Sequence, residues 1–262
     1  MTLILICEGN SPDLVARGHS WGAPFVRTFA ALNAEIDCRM VHPYAEPIPA
    51  ALLEEADGIV FTGAGVQWSV DAAEAAPQRA SFEQALEAEK PIWGSCNGMQ
   101  LAAVMLGGSV RCSPNGLESG FAHDLERVAQ EHPMVSGRKS GDGVLCIHRD
   151  EVGNLPDGAE LVVSNSHSPV QGFAYERGGV RFWGTQYHPE LTPSALAGYL
   201  RGGGIFQGFE RLTEDLDAIS ADPESADRLG GRPEFLLQER RAAELIAWMA
   251  LVERRAPFHT AA

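Results

Sequence analysis

Along the first hundred residues, short unbroken apolar runs alternate with longer stretches in which apolar side chains recur at helical spacing. Leu3-Ile4-Leu5-Ile6 has the composition of a strand buried on both faces. Trp21 to Leu32 carries the helical spacing, and Ile36 to Val41 predicts a second short strand. After Pro43, Pro47 and Pro49 come a short helix at Ala51-Leu52-Leu53, a strand at Gly58-Ile59-Val60-Phe61 and a loop at Thr62-Gly63-Ala64-Gly65. Ala80 to Lys90 reads as a helix, Pro91-Ile92-Trp93-Gly94 as a strand, and Met99 to Leu106 as a helix closed by Gly107-Gly108. Repeated strand-then-helix order predicts a parallel sheet covered on both faces, with ligand sites at the carboxyl ends of its strands.

From about Val110 the pattern shortens. Val144-Leu145-Cys146-Ile147, Leu161-Val162-Val163, Val170 to Tyr175 and Val180 to Gln186 predict strands of an antiparallel or mixed region. Beyond Pro193 the chain turns helical and polar, ending in an amphipathic stretch from Pro233 to about Glu253 with Phe235, Leu236, Leu245, Trp248, Met249 and Val252 as apolar positions. Residues 1–192 are expected to form the main domain and residues 193–262 a helical extension packed on the same domain. No internal repeat or low-complexity linker interrupts either part.

The 45% hydrophobic content over 262 residues is ample for a packed core. A formal charge of −15 repels polyanions, so nucleic acid and anionic membranes are not expected partners. The five cysteines are odd in number and show neither CxxC nor zinc-like spacing, which predicts no metal site and a reducing cytoplasm. Met1 to Cys7 is short, lacks a basic flank and runs into Glu8-Gly9-Asn10, so it reads as a buried strand rather than a signal peptide. No apolar run approaches membrane-spanning length.

Two constellations carry chemistry. In Gly94-Ser95-Cys96-Asn97-Gly98, glycines flank a cysteine between a buried strand and an apolar helix. This is the pattern of a nucleophile elbow: a sharp turn lifts the sulfur above the sheet edge, near the positive end of a helix that favours a thiolate. A lone cysteine is more often a small buried hydrophobe; the elbow setting separates Cys96 from the other four. The second constellation, Trp183-Gly184-Thr185-Gln186-Tyr187-His188-Pro189-Glu190, offers His188 as base and Glu190 as its orienting carboxylate. In an extended segment, positions two apart project to one face, which would bring the two side chains together. A dinucleotide-binding reading of Gly63-Ala64-Gly65 fails, because the third glycine of that fingerprint is absent.

Pro91-Ile92-Trp93-Gly94-Ser95-Cys96-Asn97-Gly98-Met99-Gln100, then Leu106-Gly107-Gly108, then Gly184 to Glu190, together resemble the class I glutamine amidotransferase family, over roughly Leu3 to Glu190. His148-Arg149-Asp150-Glu151-Val152 is similar to a segment of its GMP synthase-like branch. The resemblance implies a flavodoxin-like three-layer α/β sandwich with a mostly parallel central sheet, a small antiparallel addition and a C-terminal helical extension. It implies a γ-glutamyl thioester on Cys96, with His188 and Glu190 completing a triad and no cofactor or metal. It assigns the oxyanion hole to Gly63 or Ala64 with the amide of Asn97, and substrate contacts to Gln100 and Gly65. His148 and Asp150 are either substrate contacts or a polar turn after a strand, and His167 is equally open.

Two departures bear on the substrate. Gly65-Val66-Gln67-Trp68-Ser69 lacks the proline usual after the glycine pair, and Ile147 replaces a frequent serine. In the family those positions touch the α-amino and α-carboxyl ends of glutamine, so a γ-glutamyl amine, peptide or conjugate is an alternative to glutamine. The 72 residues after Glu190 are too few for a synthetase domain. Ammonia would therefore pass to a separate synthetase subunit. The alternatives are a stand-alone γ-glutamyl hydrolase and a non-catalytic protein that binds a γ-glutamyl metabolite.

Overall fold

The computed structural model describes residues 2–201 and 208–254; Met1 and, from the expected extension, residues 202–207 and 255–262 lie outside them. The chain runs β1 (Thr2–Cys7), α1 (Pro12–Ala16), α2 (Gly22–Leu32), β2 (Ile36–Val41), α3 (Ala50–Glu55), β3 (Gly58–Phe61), α4 (Ala76–Glu87), β4 (Pro91–Ser95) and α5 (Asn97–Met105). Shorter strands follow: β5 (Ser109–Cys112), β6 (Glu118–Ala122), β7 (Glu126–Arg127), β8 (Val144–His148), β9 (Asp150–Asn154), β10 (Glu160–Ser164), β11 (Gly172–Arg177) and β12 (Val180–Thr185). The helices α6 (Pro193–Arg201), α7 (Glu210–Ala221), α8 (Gln238–Arg241) and α9 (Ala243–Glu253) complete it.

The main sheet has the order β2-β1-β3-β4-β12-β11-β10-β7. Its β2, β1, β3, β4 and β12 are parallel, and β11, β10 and β7 add antiparallel pairings at one side. The order 2-1-3-4 is that of a flavodoxin-like sheet, whose crevice lies at the strands' carboxyl ends. Two antiparallel ladders, β5 with β9 and β6 with β8, stand apart from it.

Strand alternation divides the core into two layers. Ile4, Ile6, Val60, Trp93 and Trp183 face α2 and α9, whereas Leu5, Cys7, Ile59, Phe61, Ile92 and Phe182 face the side covered by α4 and α5. A third cluster joins Leu196, Tyr199, Leu200, Leu216 and Ile219 of α6 and α7 to Phe121, Leu145 and Ile147 of the β6–β8 ladder. No helix among the described residues is long and apolar enough to cross a membrane.

The stretch from Pro233 to Glu253 is not one helix. A single 3-10 turn at Pro233–Leu236 is followed by α8 and α9, because Leu237 adopts an extended conformation (φ −57°, ψ 135°) and Ala242 leaves the helical region (φ −96°, ψ 21°). Its apolar residues consequently serve two cores. Phe235 joins the third cluster, while Leu245, Trp248, Met249 and Val252 cover the central sheet.

Candidate active site

Cys96 occupies the single residue between β4 and α5, at φ 49° and ψ −105°. Positive φ is unfavourable for a residue with a Cβ and persists where the surroundings enforce it. Here the enforcement is close packing of strand and helix: a Cβ on Gly94 would lie 2.7 Å from the Gly98 carbonyl carbon, and one on Gly98 would lie 2.1 Å from the Phe61 carbonyl oxygen. The Cys96 N–H donates to the Thr185 carbonyl at 2.7 Å, and its own carbonyl accepts from the Gln100 N–H at 2.9 Å. The sulfur thus sits at the positive end of α5, nearly buried, with its thiol 3.8 Å from the Ile147 carbonyl oxygen.

His188 and Glu190 meet through a turn rather than an extended strand, since β12 ends at Thr185. The His188 N–H bonds to the Leu145 carbonyl at 2.8 Å, and the Leu191 N–H closes onto the His188 carbonyl at 3.2 Å, with Pro189 in the second position that its fixed φ suits. This places His188 Nδ1 2.7 Å from Glu190 Oε1. Glu190 Oε2 accepts from the Ser95 hydroxyl at 3.0 Å, and that hydroxyl accepts from the Trp93 indole N–H at 3.0 Å. The carboxylate is therefore tied both to the imidazole and to the strand that presents Cys96. With Nδ1 engaged, Nε2 is left to serve the sulfur; it is buried and makes no hydrogen bond among the described residues.

Burial would push the His188 imidazolium down, but the Glu190 carboxylate and then the Cys96 sulfur overcome it and hold the ring up at about 10. The His188 ring stacks on Trp21 (centroids 4.9 Å apart, planes at 28°), and Trp21 stacks in turn on Tyr199. The fully buried Glu8 fixes Trp21 by accepting its N–H at 3.1 Å and the Gly22 N–H at 2.9 Å.

A cavity of about 320 Å³ opens above the sulfur. Of the candidate residues, Cys96, Ala64, Asn97, Gln100, His148 and Asp150 line it; Gly63 and Gly65 do not. Asn97 is the first residue of α5, so its N–H lacks an intrahelical acceptor. The Gly65 N–H is taken by Asn10 Oδ1 at 2.6 Å, which removes it from substrate contact and makes it a tether for the loop. The Gln100 amide N–H groups are likewise committed, to the Asp150 carbonyl at 2.8 Å and Gln186 Oε1 at 3.1 Å, so only its oxygen can face a ligand. The rest of the wall is mainly apolar, with Trp21, Val66, Trp68, Leu117, Ile147 and Phe209 around the mouth.

His148 has both ring nitrogens engaged, one with the Asp150 carbonyl at 3.1 Å and the other with Glu118 Oε2 at 2.7 Å. Burial would raise Glu118, yet His148, Asn165 and Gln171 hold its carboxyl below the usual range. The nearby His167 lies 3.8 Å from the same carboxylate, and ligand atoms of Glu118, His148 and His167 fall within 4.8 Å of one another. These three could converge on a cation only by giving up hydrogen bonds that already occupy both Glu118 oxygens. They form a polar brace under the cavity wall.

Ser95, Trp21, Glu8 and Glu118 were not singled out from the sequence. Glu8 had a readable signal: a charged residue directly after a fully buried strand, at the edge where sites gather. Trp21 and Glu118 had none, because their partners are remote in sequence.

A family model for glutamine amidotransferase class-I matches residues 18–201. The chain is 35% identical over 211 residues to a γ-glutamyl-L-1-hydroxyisopropylamide hydrolase of a Pseudomonas species, covering 76% of this chain and 70% of that protein. It is 31% identical to a glutamine-hydrolysing GMP synthase subunit of Haloquadratum walsbyi over 62% of this chain and 78% of that one. The full-length GMP synthase of Methylobacillus flagellatus matches at 32% identity, and there the alignment spans 25% of the relative's length. Among solved structures, a glutamine amidotransferase of Thermotoga maritima superposes with a TM-score of 0.67 at 20% identity, covering 96% of this chain and 97% of that one, which supports the fold. By the extent of the family match and by the Pseudomonas relative, the chain belongs to the class I glutamine amidotransferases.

Proposed function

We propose that this chain hydrolyses the side-chain amide of a γ-glutamyl compound, glutamine being the smallest, through a γ-glutamyl thioester on Cys96. The observation that carries the reading is the buried line Cys96, His188, Glu190, Ser95, of which Cys96 lines the cavity. The Cys96 sulfur attacks the δ-carbonyl carbon, its proton passing to His188, while the Ala64 and Asn97 N–H groups receive the oxyanion. His188 protonates the amide nitrogen, the C–N bond breaks and the amine or ammonia departs. Water, activated by the now neutral His188, cleaves the thioester to glutamate and regenerates the thiol. Glu190 orients the ring and compensates its charge throughout.

The apolar mouth favours an amine leaving group with an alkyl or aryl substituent, and so a hydrolase that acts alone, as the name of the Pseudomonas relative suggests. The second reading, glutamine hydrolysis that feeds ammonia to a separate synthetase subunit, is favoured by the match to the Haloquadratum GMP synthase subunit. We assign residues 1–192 to the catalytic domain and 193–262 to its extension. Five free cysteines support residence in a reducing cytoplasm.

The test is release of glutamate and amine from glutamine and a panel of γ-glutamyl alkylamides, with Cys96→Ala and His188→Ala as controls. Undiminished turnover by Cys96→Ala would sink the mechanism. Preference for glutamine over every alkylamide would overturn the stand-alone reading.

A further inference from the structure

The turn that carries His188 is gripped from behind by residues outside the matched family region, which ends at Arg201. Arg241, the last residue of α8, is 6% exposed, and its guanidinium donates to the Pro189 carbonyl. The same group lies 3.5 Å from the Thr28 hydroxyl, which donates to the Glu190 carbonyl at 3.2 Å. Three residues further, the fully buried Glu244 accepts the Tyr187 hydroxyl at 2.8 Å. Glu244 is itself held by both arms of the Arg138 guanidinium, at 2.8 and 2.6 Å. One short segment thus holds residues 187, 189 and 190, on either side of His188.

Arg241 is an odd choice for packing alone. No carboxylate lies within ion-pair distance of it among the described residues, and its burial disfavours its charge, with Glu190 supplying the opposing attraction. An apolar side chain of similar volume would fill such a position without desolvating a charge. What an apolar residue could not do is bond the main chain of the turn.

Resting on the function proposed above, we infer that Arg241 is a positioning residue: through the Pro189 carbonyl and the Thr28 link to Glu190 it fixes the turn on which His188 and Glu190 are presented to Cys96. A carbonyl and a hydroxyl at the two ends of Pro189–Glu190 leave this segment little freedom to shift the imidazole. The α8–α9 segment is then part of the apparatus that places the triad, although no residue of it lines the cavity.

The experiment uses the full chain with Arg241→Met, Arg241→Lys and Thr28→Val, and two readouts per folded molecule. One is kcat and KM on a γ-glutamyl p-nitroanilide; the other is the rate at which iodoacetamide alkylates Cys96 at pH 7, followed by mass spectrometry. For Arg241→Met we expect kcat to fall about 10- to 100-fold, the penalty of misplacing a catalytic group by a fraction of an ångström to an ångström. Its KM should stay within about 2-fold, as for loss of an interaction used in the transition state. Arg241→Lys, which keeps a charged donor, should recover most of the loss. Thr28→Val should fall between them while melting near wild type, and alkylation should slow in the same order. Unchanged kcat and alkylation in Arg241→Met and Thr28→Val overturn the inference, as does an equal loss in Arg241→Met and Arg241→Lys with Thr28→Val like wild type. A wild type that turns over no γ-glutamyl compound defeats the proposed function instead, and the alkylation series, which needs no substrate, still decides the role of Arg241.

Discussion

Gly63→Ala probes the placement of His188 with a single methyl group. A Cβ at position 63 would lie 2.7 Å from His188 Cε1 and 3.2 Å from a Trp21 ring carbon, where ordinary contact begins at 3.4 Å. Gly63 has no positive φ, so alanine is compatible with its backbone and the clash falls on the imidazole and indole. The ring must retreat by about 0.7 Å, and displacement of that size is expected to cost about 10- to 100-fold in kcat. Overpacking should also destabilise by about 1–3 kcal/mol, lowering the melting temperature by a few degrees. Gly58→Ala is the matched control: its Cβ would meet Trp248 at 2.8 Å and Val252 at 2.9 Å in the core under α9. It should lose comparable stability and keep kcat. The assay is initial-rate kinetics on a γ-glutamyl p-nitroanilide, normalised to folded protein by circular dichroism, beside thermal melts of both variants. If Gly63→Ala retains wild-type kcat, or if Gly58→Ala loses as much activity, then His188 placement does not govern the rate and its assignment as proton carrier fails.

Glu190→Gln should lower kcat by roughly three orders of magnitude, because the imidazolium loses its compensating charge and its fixed tautomer; steady-state kinetics checks this. His188 is raised from 6.5 to about 10 in the folded state, so its contribution to stability is full below pH 6.5 and is lost as pH rises through 10. The stability advantage of wild type over Glu190→Gln should therefore shrink between pH 7 and 10 in urea titrations. Cys96→Gly should be about 1–2 kcal/mol more stable than Cys96→Ala, since only glycine adopts φ 49° without strain, and chemical denaturation of the two inactive variants measures the difference. Arg138→Met leaves Glu244 buried without its bidentate partner and should cost about 3–5 kcal/mol in the same measurement.

Elements whose signal is local could be read from the sequence. β1, β3 and β4 are continuous apolar runs and sit where expected, and the later strands, expected to be antiparallel or mixed, are mixed, since β12 pairs parallel with β4 and antiparallel with β11. α4 begins at Ala76 rather than Ala80 because Pro77 fits a first helical turn, although as a helix breaker it suggests an exclusion. β5 and β6 have no periodic signal, because Arg111, Cys112, Glu118 and Ser119 give them no apolar alternation; they are strands by virtue of pairing with β9 and β8. In the site, Cys96, His188 and Glu190 were legible from motif and resemblance. The meeting of His188 with Glu190 was anticipated by the wrong geometry, an extended strand where a proline turn stands. Ser95, Glu8, Trp21 and Arg241 reach the site through tertiary contacts, to which a linear pattern is blind.

In the proposed reaction, the apolar mouth above Cys96 has a consequence for the order of events. The C–N bond of an amide breaks only once its nitrogen is protonated, and the ring that would supply the proton has Nε2 alone uncommitted, Nδ1 being held by Glu190. The departing amine and the incoming water must therefore pass the same nitrogen in turn, since the base that activates water is the acid that released the amine. An amine whose apolar group rests against Trp21, Trp68, Leu117 and Phe209 fills the approach that water needs. Its binding protects the thioester, and its departure both exposes the carbonyl carbon and leaves His188 neutral, ready to accept a proton. In this reading the leaving group and the hydrolytic water use one approach to Cys96 in turn.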